Sequence, residues 1–236
     1  MAATALVLAA HPDDAEICMG ATVAKLVRQG WRVELCDLTD GEPTPAGSPE
    51  RRAAEAARAA AILGVARRTT LALPNRYLMD GVQARQQAAE VIREVRPDLL
   101  FLHYWEDAHP DHVQASRLGE AARFYAKLTK TEMRGEPCYP RRVVHFVGSH
   151  YRLHRAPSFI LDVSDSFETK LEAVAAYESQ FGAERGQEWV AARSRPPLAP
   201  ALRSLGEYFG RLIGVRYGEP FIMREEVGLA SLDALL

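Results

Sequence analysis

Cysteine is scarce in this chain. Only Cys18, Cys36 and Cys138 occur among 236 residues. The number is odd, the spacing is wide, and no Cys-x-x-Cys pair exists, so a disulfide framework is excluded and a reducing compartment fits best. Long apolar runs are missing as well: none approaches the ~20 residues that cross a bilayer. The opening Met1-Ala2-Ala3-Thr4 lacks the basic start of a secretory signal. A cytoplasmic location without a membrane partner is therefore expected. Neither sign of charge dominates. A formal net charge of -2 leaves no basic footprint for nucleic acid. No Gly-x-Gly-x-x-Gly follows the first apolar run, which argues against dinucleotide binding, and no Gly-x-Ser-x-Gly nucleophile elbow occurs.

What is present is an ordinary globular composition, 47% hydrophobic and 25% charged. Short apolar runs alternate with longer amphipathic ones. Thr4 to Ala10 reads as a first strand, and Ala15 to Gln29 as a helix with Met19, Val23, Leu26 and Val27 on one face. Trp31 to Thr39 reads as a second strand. Ser48-Pro49-Glu50 opens a helix that Gly64 ends. Thr69 to Leu73, Asp98 to Leu102, Arg142 to Val147 and Phe159 to Val163 read as further strands. Val82 to Val95, His112 to Lys127, Ser164 to Gln180 and Ala201 to Ile213 read as helices. Gly182 to Pro200 is polar and reads as loop.

Strand-helix alternation predicts an α/β fold: a Rossmann-like, doubly wound, mostly parallel sheet with helices on both faces. A single domain is expected over residues 1–236, with a core to about 163 and a C-terminal helical and loop extension from about 164. By analogy with strand order 3-2-1-4-5, strands one and four are neighbours, and ligands bind beyond their carboxyl ends.

Both ends carry the same signature. His11-Pro12-Asp13-Asp14 follows strand one, and His109-Pro110-Asp111-His112 follows strand four. Alone, either motif could be a turn or a helix cap. Together, on neighbouring strands, they would face one crevice. Two adjacent carboxylates there repel each other unless a cation compensates. A His and an Asp in one short loop, joined by a distant His, match a catalytic zinc site, which uses three protein ligands. Zinc lowers the pKa of its bound water toward ~7. One aspartate of the doublet can then ligate while the other takes a proton from that water. A His, His, Asp set also accepts iron(II), cobalt or manganese.

The segments AHPDDAEICMGATVAKL, RRAAEA and HPDHVQAS resemble the LmbE-like, or PIG-L, zinc-dependent deacetylases. LPNRYLMDG, PSFILDVSDSFETKLEAVAAYESQF and IGVRYGEPF are similar to the branch acting on N-acetylglucosaminyl malate in bacillithiol biosynthesis. The resemblance implies His11, Asp14 and His112 as zinc ligands and Asp13 as general base. It implies that His109 polarises the oxyanion or protonates the leaving amine, that Asp111 orients His109, and that Arg52 binds substrate. It also implies a homo-oligomer, often a hexamer. Ala108 stands where that branch often has an arginine, which removes one anion contact. The other substrates expected of such a centre are chito-oligosaccharides and thiol conjugates. A non-catalytic metal-binding protein is the reading of a different class, and Asp13 and His109 beside the ligands argue against it.

Other residues carry weaker signals. Asn75 and Arg76 follow strand three at the same end of the sheet and are candidates for substrate binding, as is His150 in a loop with His154 and two arginines. The loop Asp40-Gly41-Glu42 holds an equivalent position after strand two. His103 and His145 read as structural, and Cys18 as a packed helix residue. Arg216 and Tyr217 are expected to close over the site or a neighbouring subunit. Arg185, Arg193, Arg195 and Arg203 read as solvated.

Overall fold

The first strand, β1 (Thr4–Ala9), is buried on both sides. Its side chains alternate, with Ala5 and Val7 in one apolar cluster and Leu6 and Leu8 in another. A strand apolar on both faces must be covered on both. In the computed structural model, which describes residues 2–148, 156–182, 197–231 and 233, helices do this. The chain runs β1, α1 (Asp14–Arg28), β2 (Arg32–Asp37), α2 (Pro49–Leu63), β3 (Arg67–Thr70), α3 (Val82–Val95), β4 (Leu99–His103) and α4 (Pro110–Ala126). It continues through β5 (Arg142–Phe146), β6 (Phe159–Asp162), α5 (Phe167–Ala175), α6 (Glu178–Phe181), α7 (Leu198–Leu212) and β7 (Gly218–Ile222). Residues of α1, α2 and α5 pack on one face, and those of α3 and α4 on the other.

The sheet order is β3-β2-β1-β4-β5-β7-β6. The first five strands are parallel, and β1 lies between β2 and β4 with Leu8 opposite Leu102. The expected adjacency of strands one and four is therefore present. Local signals set α2 as expected. Ser48 caps it by accepting the Arg51 N–H at 3.3 Å, Pro49 opens it, and Gly64 closes it at φ 72°. Among the described residues no helix is long and apolar enough to cross a membrane.

Four expectations need correction. The third strand lies at Arg67–Thr70, earlier than Thr69 to Leu73, because its charged residues conceal it. Arg68 points inward, donating to Asp37 at 2.6 and 2.8 Å and to Glu16 at 2.5 Å. The helix expected over Ser164 to Gln180 breaks at Tyr177, whose φ -86° and ψ 63° are not helical. There Glu55 of α2 captures the Ser179 N–H at 2.8 Å and hydroxyl at 2.6 Å. The last helix starts at Leu198, with Pro200 in its first turn where no N–H is needed; residues 183–196 of the expected loop, with Arg185, Arg193 and Arg195, lie outside the described residues. Arg203 is paired with Glu168 at 2.6 and 2.7 Å.

The fourth correction concerns the GVRYGEPF segment. Its Tyr217 does not close over the site or over a neighbouring subunit. Gly218–Ile222 is the buried strand β7, antiparallel between β5 and β6. Tyr217 is buried and stacks on Phe167 with centroids 4.1 Å apart. Glu219 repairs a break in α1. Met19 leaves helical geometry at φ -145°, and Glu219 then accepts the N–H groups of Ala21 at 3.3 Å and Thr22 at 2.7 Å. Lys170 neutralises Glu219 at 2.6 Å.

Candidate metal centre

The carboxyl ends of β1 and β4 bring both histidine motifs to one place. After β1 the chain turns through Asp13, which holds φ 111°. A non-glycine residue in that region is strained, and such strain collects at functional sites. Asp14 then begins α1. After β4, His109 caps α4 and Pro110 opens it, which places Asp111 and His112 in its first turn.

Asp14 sits between two imidazoles. Its Oδ2 lies 3.2 Å from His11 Nδ1 and its Oδ1 lies 3.2 Å from His112 Nε2. All three residues are buried, and each offers a ligand atom within 4.8 Å of the others. His11, His109 and Asp111 form a second such trio. The Asp111 carboxylate lies 3.2 Å from His11 Nε2 and accepts the N–H groups of Arg76 at 2.7 Å and Leu78 at 3.3 Å. Its connection to His109 runs through the backbone: the Asp111 N–H donates to His109 Nδ1 at 3.2 Å. That bond assigns the ring proton of a neutral His109 to Nε2.

The Asp13 carboxylate meets Arg52, whose Nη2 donates to Asp13 Oδ2 at 3.0 Å and to the Pro12 carbonyl at 2.5 Å. Arg52, which the resemblance assigns to substrate binding, lies on α2 and is 3% exposed. Asn75 is half-buried and Arg76 exposed, on the loop whose N–H groups hold Asp111. His150 and His154 lie outside the described residues.

His103 stands behind Asp14. Its Nε2 accepts the Ala10 N–H at 3.0 Å and lies 3.3 Å from Asp14 Oδ2. His145 Nδ1 donates to the His103 carbonyl at 2.8 Å, and its Nε2 faces Glu120 at 3.3 Å. Both are buried supports. Cys18 packs against two apolar clusters, and none of the cysteines is in a disulfide.

Sequence reasoning missed Asp107. Its Oδ1 accepts the His109 N–H at 2.7 Å, and its Oδ2 lies 3.1 Å from His112 Nδ1. A carboxylate on the outer nitrogen of a ligand histidine fixes the tautomer and aims the inner nitrogen. The available signal was an aspartate two residues before His109, the spacing of an Asx turn.

The electrostatics are those of a cation site. Burial alone would push His11 down, but the Asp111 and Asp14 carboxylates outweigh it and raise it to about 9. Burial of His112 is likewise outweighed by Asp14 and Asp107, which raise it to about 10. Asp14 is held well below the usual range, against burial, by His112 and His103. Burial pushes the Asp13 carboxyl up to about 7 against the pull of Arg52. Burial and the charges of His112 and His11 push His109 down to about 4. Two imidazoles that hold protons this tightly mark a strongly negative pocket. A divalent cation satisfies the same potential by displacing those protons. Two nitrogens and a carboxylate oxygen are a donor set that suits zinc.

Fold and site together define a doubly wound α/β protein with a His-Asp-His cluster at its topological switch point. The PIG-L family, described as GlcNAc-PI de-N-acetylase, matches residues 6–123. The chain is 32% identical over 223 residues to a diacetylchitobiose deacetylase of Thermococcus kodakarensis, a match that covers 89% of this chain and 78% of that one. A 1D-myo-inositol 2-acetamido-2-deoxy-alpha-D-glucopyranoside deacetylase 2 of Catenulispora acidiphila is 29% identical over 243 residues, covering 78% of this chain and 80% of that one. A solved structure of a conserved protein from Thermus thermophilus superposes with a TM-score of 0.84 at 36% identity, covering 96% of each chain. The chain belongs to the PIG-L, or LmbE-like, family.

Proposed function

We propose that this protein is a zinc-dependent N-deacetylase that removes the acetyl group from an N-acetylglucosamine conjugate. One observation carries the reading: His11, Asp14 and His112 converge as a buried ligand set with Asp13 and His109 beside them. A merely structural metal would need neither neighbour. His11, Asp14 and His112 would hold the ion; iron(II) suits the same donors. A bound zinc supplies Lewis acidity and brings the pKa of water toward ~7.

The chain's own groups do the rest. Asp13, oriented by Arg52, accepts the proton of the attacking water and returns it to the leaving amine. His109 Nε2–H donates to the amide oxygen as charge develops there, a contribution worth ~10²–10³ in rate for comparable donors. Asp111 sets that tautomer through its backbone N–H and steadies His11 through its carboxylate. Asn75 and the exposed Arg76 lie on the adjoining loop and are assigned to the substrate's far end, where a guanidinium suits a carboxylate. This favours N-acetylglucosaminyl malate, the substrate of bacillithiol biosynthesis. The likeness to the Thermococcus enzyme favours diacetylchitobiose as the second reading. A cytoplasmic homo-oligomer completes the proposal.

The test is amine release by zinc-loaded protein from N-acetylglucosaminyl malate, diacetylchitobiose and N-acetylglucosamine, side by side. The malate conjugate is expected to give the highest kcat/KM. A preference for diacetylchitobiose transfers the assignment to the second reading, and no amine from any of the three sinks the deacetylase reading. Sedimentation of the same sample tests the oligomer, and a monomer overturns that part.

A further inference from the structure

The Asp13–Arg52 pair has a second support, supplied by the C-terminal part of the chain. Among the described residues only one nitrogen of the Arg52 guanidinium is anchored by hydrogen bonds: Nη2 serves both Pro12 and Asp13. Nε and Nη1 are buried and have no hydrogen-bond partner among the described residues. A group held through one nitrogen can swing about it, so something else must fix the plane. The Arg52 Cζ lies over the Tyr177 ring, 5.6 Å from its centroid. Tyr177 is fully buried, which fixes its ring in place, and its hydroxyl donates to Glu16 at 3.1 Å. On another side, a Cβ at Gly41 would lie 3.4 Å from Arg52 Nη2 and 3.1 Å from Pro12 Cδ. Arg52 is therefore enclosed.

The turn that carries Tyr177 is tied down around the same point. Ser179 binds Glu55, one turn along α2 from Arg52. This accounts for the break between α5 and α6: a continuous helix would carry Tyr177 elsewhere.

We infer that Tyr177 is a positioning residue that acts through Arg52 on Asp13. Its aromatic face holds the guanidinium in the plane from which Nη2 reaches the carboxylate, an arrangement a buried cation–π contact can sustain. The inference rests on the proposed role of Asp13 for its kinetic consequence, but its geometry stands independently.

The experiment uses zinc-loaded full-length protein and whichever of the three substrates wild type hydrolyses fastest. Tyr177→Leu is expected to lower kcat by ~10-fold or more while KM moves less than ~3-fold, because Arg52 serves the base. Tyr177→Phe keeps the face and recovers most of the loss. In an Arg52→Ala background, Tyr177→Leu should cost little further, since the group it positions is gone. An equal loss in both backgrounds would show a merely structural role and overturn the inference. A crystal structure of Tyr177→Leu decides the geometry without any substrate. Arg52 Nη2 should lie beyond ~4 Å from Asp13, and an undisturbed pair overturns the inference. If wild type hydrolyses none of the substrates, the deacetylase reading fails while this structural comparison still decides the role of Tyr177.

Discussion

The Asp107 carboxylate lies 3.1 Å from His112 Nδ1, on the imidazole's far side from Asp14. The ring is thus held between two carboxylates, one belonging to the proposed ligand set and one that orients the imidazole. Removing the outer one should leave the fold intact and weaken the ion's grip. Asp107→Ala is expected to reduce zinc affinity by ~10–100-fold in a chelator competition, the usual cost of losing such a partner. Asp107→Asn keeps one acceptor and should fall between. Wild-type affinity in both variants would show that His112 needs no such support.

Gly148 follows β5 closely and explains how Asp107 reaches His112. A Cβ at Gly148 would stand 2.3 Å from Asp107 Oδ2 and 3.4 Å from His112 Nδ1. The first distance is a collision, and Asp107 must move to relieve it. Gly148→Ala should therefore act like a mild Asp107 variant, with zinc affinity down by ~10-fold or more. A crystal structure of the variant with Asp107 still against His112 would refute this account of the glycine.

The two aspartates of the doublet should separate cleanly. Asp13→Asn keeps the shape and tolerates the backbone at φ 111°. It removes the proton acceptor, so kcat should fall by ~10²–10⁴ while zinc binding stays at the wild-type level. Asp14→Ala and His11→Ala should instead lose the ion, as measured by metal analysis after dialysis. Full turnover by Asp13→Asn would remove it as the base, and full zinc occupancy in His11→Ala would remove it as a ligand.

Much of this was legible in the sequence because the signals were local or periodic. The β1 and β4 runs, the helix start at Ser48-Pro49 and the repeated His-Pro-Asp motif all show themselves within a few residues. The order of the first five strands was legible only by analogy with other doubly wound sheets, and the observed order matches it. What escaped was long-range. Arg68 hides β3 because a charged residue reads as surface until its partners Asp37 and Glu16 are known. The α5–α6 break depends on Glu55, more than a hundred positions away. Gly218–Ile222 reads as a closing segment and not a strand, because its neighbours β5 and β6 lie far from it in sequence. The site shows the same division: the proposed ligands sit in motifs, whereas the orientation of Asp111 toward His11 and the contact of Tyr177 with Arg52 arise only on folding.

A large stability effect is expected outside the candidate metal centre, at Glu219. Both of its oxygens are committed, to Lys170, Ala21 and Thr22, and it joins β7 to the second half of α1. Lys170 and Glu219 are 4% and 2% exposed, so neither charge can turn to solvent when the other is lost. Glu219→Ala strands an ammonium and two helix N–H groups together. Breaking a buried pair in this way costs ~3–5 kcal/mol. For a chain of this size that corresponds to a Tm lower by roughly 6–20 °C. The double variant Glu219→Leu, Lys170→Met removes both charges and leaves the two N–H groups and the Thr22 hydroxyl without this partner. It should recover more than half of the loss, because the penalty is mostly that of the unpaired charge. Calorimetry of the three proteins at one pH measures the difference. Equal Tm values for the single and double variants would mean that the unpaired groups at the helix break, and not the buried charge, dominate.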